Sequence, residues 1–259
     1  MKTIAICNLK GGVAKTVTTV NLAADLAHYH SKRVLVIDAD SQCNASDFLG
    51  GGREGHNLAT LLRTPAVERT GFNAAVEAAQ TISASTVPGV DLLPADDSLM
   101  DLDLSKAANG DAWVECLLEI RGCVSHDFDF TLIDCPPAFN AAAAAALLAA
   151  DEVIVPIKVD AFSLRGMGNL LRQISNMRKI NPALRVAGVL PVMWYPSKEA
   201  EDALRQLREY GLPVFQRIRR STMVDAMTYR QEPLFRSSPK SGACKDYRSF
   251  AARIAEGRY

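Results

Sequence analysis

The sequence predicts an α/β fold: a doubly wound, mostly parallel sheet flanked by helices, in one domain spanning residues 1–259. Three observations carry this. Short apolar runs of strand length recur along the chain, and several are continuous rather than alternating, as in strands buried on both faces. Amphipathic helical patterns separate them. The first run leads into a glycine-rich turn that opens a helix, which puts a ligand-binding turn at the carboxyl end of a strand.

In chain order, strands are expected over residues 3–7, 33–37, 90–93, 130–133, 152–156, 186–192 and 213–215. Helices are expected over 164–180 and 198–210, with a terminal amphipathic helix over 247–255 that packs Tyr247, Phe250, Ala251 and Ile254 on the sheet. The alanine run from Ala141 to Ala146 favours helix and close packing. The least regular region is 50–89, broken by Gly50-Gly51-Gly52 and Pro88-Gly89, with short helices expected at 57–63 and 72–79. No repeat or Pro/Ser-rich linker divides the chain.

Composition narrows the function. Hydrophobic residues make up 48% and the formal net charge is zero, so the whole chain is not a polyelectrolyte binder. Residues 205–259 nevertheless carry twelve Lys and Arg against five Asp and Glu, a net of +7, which fits either a nucleic-acid-facing patch or a solvated face. Six cysteines show no CxxC and no zinc spacing, consistent with a reducing compartment. No secretory leader and no bilayer-spanning run is expected.

The chemistry begins at Lys10-Gly11-Gly12-Val13-Ala14-Lys15-Thr16. Glycines let backbone N–H groups converge on a polyanion, and the helix start adds a favourable dipole. Lys15 reaches terminal phosphates, and the Thr16 hydroxyl suits Mg2+. The following strand ends in Asp38-Ala39-Asp40, where alternation puts both carboxylates on one face; they either support a phosphate and metal or cap a turn. The run ending Ile133-Asp134-Cys135-Pro136-Pro137 is an apolar strand with a terminal acid, a Walker B pattern that holds Mg2+ through water.

The two-lysine loop, with Lys10 ahead of the glycines, resembles the deviant Walker A ATPases. The segment through Asn21-Leu22-Ala23-Ala24 resembles their ParA/Soj branch, which partitions chromosomes and plasmids. The resemblance extends through Asp38-Ala39-Asp40-Ser41-Gln42-Cys43-Asn44, the Asp134 motif, residues 154–166 and Ile218-Arg219-Arg220-Ser221, almost the whole chain. It implies a P-loop ATPase of the short, Soj-like form without an N-terminal helix-turn-helix. It implies that Lys10, Lys15 and Asp40 are catalytic, Lys10 crossing to the partner's ATP and Asp40 positioning water. Residues Lys10, Gly11, Gly12, Val13, Ala14, Lys15, Thr16 and Val17 bind ATP, with Arg220 beside the adenine. By the same resemblance Thr16, Asp38 and Asp134 serve Mg2+, whereas Arg217, Arg219 and Arg230 either supply DNA phosphate contacts in place of the family's basic residue or are surface arginines. Ala14, Val17 and Cys43 stand where the family has Gly, Thr and Gly; Arg165 replaces an acid and Met223 a basic residue. Alanine at 14 strains the loop if its backbone is left-handed, and stiffens it if φ is negative.

The function implied is an ATP-dependent partition switch: an ATP-driven sandwich homodimer that binds DNA without sequence preference and releases it on hydrolysis, stimulated by a ParB-type partner. The setting is cytoplasmic and nucleoid-associated, with no membrane partner. The alternative is a MinD-like positioning ATPase acting on membrane or a protein cargo. An iron-protein-like reductase requires a cluster-bridging cysteine pair that the sequence does not supply.

Overall fold

Along β1 (Lys2–Ile6) the apolar residues divide between two faces. Ile4 and Ile6 join one buried cluster, whereas Ala5 and the following Cys7 join another. The computed structural model describes residues 1–51, 56–63, 74–104, 108–159 and 161–258. After β1 come α1 (Lys15–His30), β2 (Val34–Asp38), α2 (Asn44–Leu49), α3 (Leu58–Arg63), α4 (Ala74–Thr81), β3 (Ser83–Ala84) and β4 (Val90–Leu93). The chain continues through α5 (Leu99–Leu104), α6 (Ala108–Cys123), β5 (Phe130–Asp134), α7 (Ala141–Ala149), β6 (Glu152–Lys158) and α8 (Ala161–Met177). It ends with β7 (Arg185–Val192), α9 (Lys198–Glu209), α10 (Thr222–Arg230), α11 (Leu234–Ser237) and α12 (Gly242–Glu256).

The sheet order is β3-β4-β2-β5-β1-β6-β7, and every pairing is parallel except that of β3 with β4. Helices α1, α2 and α12 cover the Ile4/Ile6 face; α3, α6, α7 and α9 cover the other. Both faces are therefore buried, which is why β2 reads as an unbroken apolar run, and β5 as one broken only by the buried Thr131, each ending in an acid. Tyr247, Phe250, Ala251 and Ile254 of α12 are buried as expected.

Two expectations are corrected. Residues 213–215 do not form a sheet strand: Val214 makes only an isolated parallel bridge to Val189. The segment does run beside β7, from the Val189 amide on the Pro213 carbonyl (2.8 Å) to the Arg220 amide on the Trp194 carbonyl (2.9 Å). Met193 interrupts that ladder with a left-handed backbone, φ 51°. At Gly188 a Cβ would stand 2.6 Å from the Phe215 ring, so the missing side chain admits this close approach. The second correction is β3, two residues long and antiparallel, too short to leave a periodic signal. The helix expected at 72–79 starts at Ala74 among the described residues; positions 72 and 73 lie outside them. At α3, Asn57 and Thr60 cap each other reciprocally, each backbone amide on the other's side-chain oxygen at 3.0 Å.

Candidate nucleotide-binding site

Register brings the chemistry together. Ile6 of β1 lies opposite Asp134 of β5, and Asp38 of β2 lies opposite the same Asp134. The loops leaving three neighbouring strands thus share one end of the sheet, where ligands bind in open α/β folds. Asn8 begins the first loop. It is buried, its Nδ2 donates to the Pro156 carbonyl of β6 (2.7 Å), and its Oδ1 accepts from the Lys10 amide (3.0 Å). Sequence reasoning missed this brace; its signal is a lone amide side chain between an apolar strand and the glycines.

Gly12 takes φ 69° with open space around its missing Cβ, so backbone conformation alone calls for glycine. Ala14 is also left-handed, φ 58° and ψ 36°, and caps α1 without a side-chain bond. The strained alternative therefore holds, at a cost of about 1 kcal/mol. No acid occupies the first turn of α1, leaving its amides and dipole for an external anion. Lys15 is buried, and its Nζ donates to the Lys10 carbonyl at 3.2 Å.

Asp134 is fully buried and accepts from Thr16 Oγ1 (2.6 Å) and Thr19 Oγ1 (3.0 Å), both from α1. Burial, then the neighbouring Asp38, pushes its carboxyl up to about 8. Asp38 is pushed to about 6 by burial, against the hydrogen bonds it accepts from Ser46 and from the Asp40 amide (3.1 Å). β2 ends at Asp38, so Asp40 stands in the turn beyond the strand rather than on its alternating face. Burial also raises the Asp40 carboxyl, opposed by the Gln42 amide and by Lys15. All three carboxyls have raised proton affinity, and Asp38 and Asp134 are already engaged by donors of the chain. Among the described residues no group of three or more acids, histidines or cysteines makes a ready metal cage, so oxygens outside the protein would complete the shell.

A cleft of about 430 Å³ is lined by Gly11 through Val17, Asp40, Pro137, Thr228 and Gln231. A second cavity of about 180 Å³ shares Ala14 with it and is walled by Val192, Ile218, Val224 and Arg220. Eleven of the twelve residues expected around nucleotide and metal therefore meet at one place, and Arg220, the twelfth, adjoins them.

The expected DNA-contacting arginines behave differently. Arg217 pairs with Glu201 (2.6 Å) and lies over the Trp194 ring, 4.4 Å from its centre. Arg219 is held bidentately by Asp246, at 2.7 and 2.8 Å. Arg230, ending α10, is exposed, as are Arg220 and Met223. The side chain of Arg165 lies outside the described residues.

The AAA domain family matches residues 1–186. A ParA family protein of Chlamydia muridarum is 32% identical over 252 residues, covering 95% of this chain and 94% of that one. The chromosome partitioning protein ParA of Caulobacter vibrioides is 37% identical over 198 residues, covering 75% and 70%. The ATP complex of McdA from Cyanothece superposes with a TM-score of 0.83 at 25% identity, covering 100% of this chain and 97% of that one. Loop, carboxylates and relatives agree: the chain belongs to the ParA family of P-loop ATPases.

Proposed function

We propose that this chain is a partitioning ATPase whose ATP and Mg2+ site is the cleft between residues 11–17 and Asp40, and whose ATP-bound form is a sandwich homodimer that holds DNA. The observation that carries the reading is the Thr16–Asp134 hydrogen bond at 2.6 Å, which joins the phosphate loop to the acid closing β5. The amides of residues 11–16 and the α1 dipole bind the phosphates, and Lys15 adds a point charge. Thr16 and Asp134 would hold the cation, and Mg2+ there would supply charge neutralisation for the phosphates. Asp40 orients the attacking water at the cleft wall. Ile218, Val224 and Val192 offer apolar surface to the base, beside Arg220.

Lys10 bridges to the partner's nucleotide, and pairing doubles the phosphate contacts made by the basic surface. Of the three expected arginines Arg230 carries that surface, because Arg217 and Arg219 are engaged by Glu201 and Asp246. A ParB-type protein stimulates hydrolysis. Cytoplasmic, nucleoid-associated action follows from DNA binding, and no described helix is long and apolar enough to cross a membrane. Size analysis with and without ATP and Mg2+ tests the reading. Wild type should dimerise, Asp40→Ala should stay trapped as an ATP dimer, and Lys10→Ala should remain monomeric. Equal ATP-driven dimerisation of Lys10→Ala and wild type would remove Lys10 as the bridge.

A further inference from the structure

Behind the cleft, one buried side chain is used from both sides. Ser46, in α2, is fully buried. Its backbone amide (2.8 Å) and its Oγ (2.7 Å) both donate to Asp38 Oδ2. The same Oγ accepts from the Ala95 amide at 2.8 Å, 49 residues further along the chain. Asp38 uses its other oxygen to hold the Asp40 amide at 3.1 Å. The chain of bonds therefore runs from Asp40 at the cleft wall, through Asp38 and Ser46, to the segment following β4.

That segment is itself tied outward. The Pro94 carbonyl accepts from the Leu58 amide (2.8 Å), and Asp96 Oδ2 accepts from Asn57 Nδ2 (2.8 Å), at the start of α3. Between Asp40 and Ser46 the chain turns at Cys43, left-handed at φ 55°, whose Sγ donates back to the Ser41 carbonyl (3.3 Å) rather than capping α2. A Cβ-bearing residue held there makes this short loop a strained element with reason to rearrange when its anchor moves. Every link of this chain is buried and hydrogen-bonded, so losing one leaves a costly unsatisfied polar group.

We propose that Ser46 is a positioning residue that couples the Asp40 loop to residues 94–98 and the start of α3, so that occupancy of the phosphate cleft is felt on that side of the molecule. The coupling rests on the nucleotide site described above. It also gives Asp38 a task distinct from metal support, since the chain itself engages both of its oxygens.

Hydrogen exchange with and without ATP and Mg2+, read peptide by peptide, tests this on the wild-type chain. The expected result is altered exchange over residues 10–17 and, with it, over 92–98, including the Ala95 amide. In Ser46→Ala the change at 10–17 should persist and the change at 92–98 should vanish; Ser46→Thr, which keeps an Oγ, should restore it. Steady-state hydrolysis gives a second reading: kcat of Ser46→Ala should fall about tenfold while KM moves little, with Ser46→Thr close to wild type. Protection at 10–17 with none at 92–98 in the wild type would overturn the coupling and leave the nucleotide site standing. Unaltered exchange at 10–17 would overturn both.

Discussion

The carboxyl end of the sheet and the arginine-rich surface beyond β7 treat charge in opposite ways. At the sheet end, Asp38, Asp40 and Asp134 are buried where the neighbouring strands β2 and β5 stop, and among the described residues no Lys or Arg pairs directly with them, Lys15 acting on Asp40 only from a distance. Beyond β7, Arg217 and Arg219 each hold a carboxylate, one at 2.6 Å and the other bidentately. Burial raises the proton affinity of all three carboxyls, and such crowding persists where a ligand supplies positive charge. Exposed charge matched within the chain has little left for an outside partner. Crowded acids mark the working end here, and a count of arginines overstates the working surface.

Asp134→Ala should strike this contrast hardest. Removing the acid that receives Thr16 and Thr19 should lower ATP hydrolysis on the order of 100-fold, as followed by phosphate release. A rate within twofold of wild type would detach the buried carboxyls from the reaction.

Asp25 gives the next largest effect, on stability. It lies on α1, 2% exposed, and burial lifts its carboxyl to about 7 against the pull of Arg248, whose guanidinium donates to the Tyr29 hydroxyl at 2.5 Å. The folded pKa lies above the ordinary 3.8, so folding favours the protonated acid. The stability this contributes is complete below about pH 4 and is lost as pH rises through about 7. Asp25→Asn should therefore gain on the order of 2 kcal/mol over wild type at pH 8 and little at pH 4, in urea titrations at the two pH values. An equal gain at both would show that packing, not ionisation, is responsible.

The arginine surface yields to salt titrations of duplex binding in the presence of ATP. Arg230→Ala should flatten the slope of log K against log salt by about 0.9 per lost contact, and Asp246→Ala, which releases Arg219, should steepen it by a similar amount. Unchanged slopes in both variants would remove this surface from the proposed DNA contact. The smallest effect is expected at the phosphate loop: Ala14→Gly relieves a left-handed Cβ and should raise stability by about 1 kcal/mol or less in chemical denaturation. A loss of stability instead would mean that the stiffness of alanine outweighs its strain.

Much of this architecture was legible in the residues. Continuous apolar runs ending in Asp38 and Asp134 announced strands buried on both faces, and Lys10 to Thr16 announced the loop between β1 and α1, because burial and glycine geometry leave local patterns. The segment 213–220 was only half legible. Its β propensity is local, but whether it completes a ladder depends on the bulge at Met193 and on Phe215 settling against Gly188.

Residue patterns alone sufficed for the fold class, the buried parallel strands and the residue types at the nucleotide site, but not for β3, α5, α6 or the segment at 213–215. Tertiary structure alone decided that Ala14 and Cys43 are left-handed, that Asn8 braces the loop against β6, that Ser46 joins Asp38 to Ala95, and that Asp246 occupies Arg219. The physical reason is range. Strand and helix patterns arise from neighbours in the chain, whereas a hydrogen bond between residues 49 or 148 positions apart exists only once packing brings its two ends together and removes the water that would otherwise satisfy them.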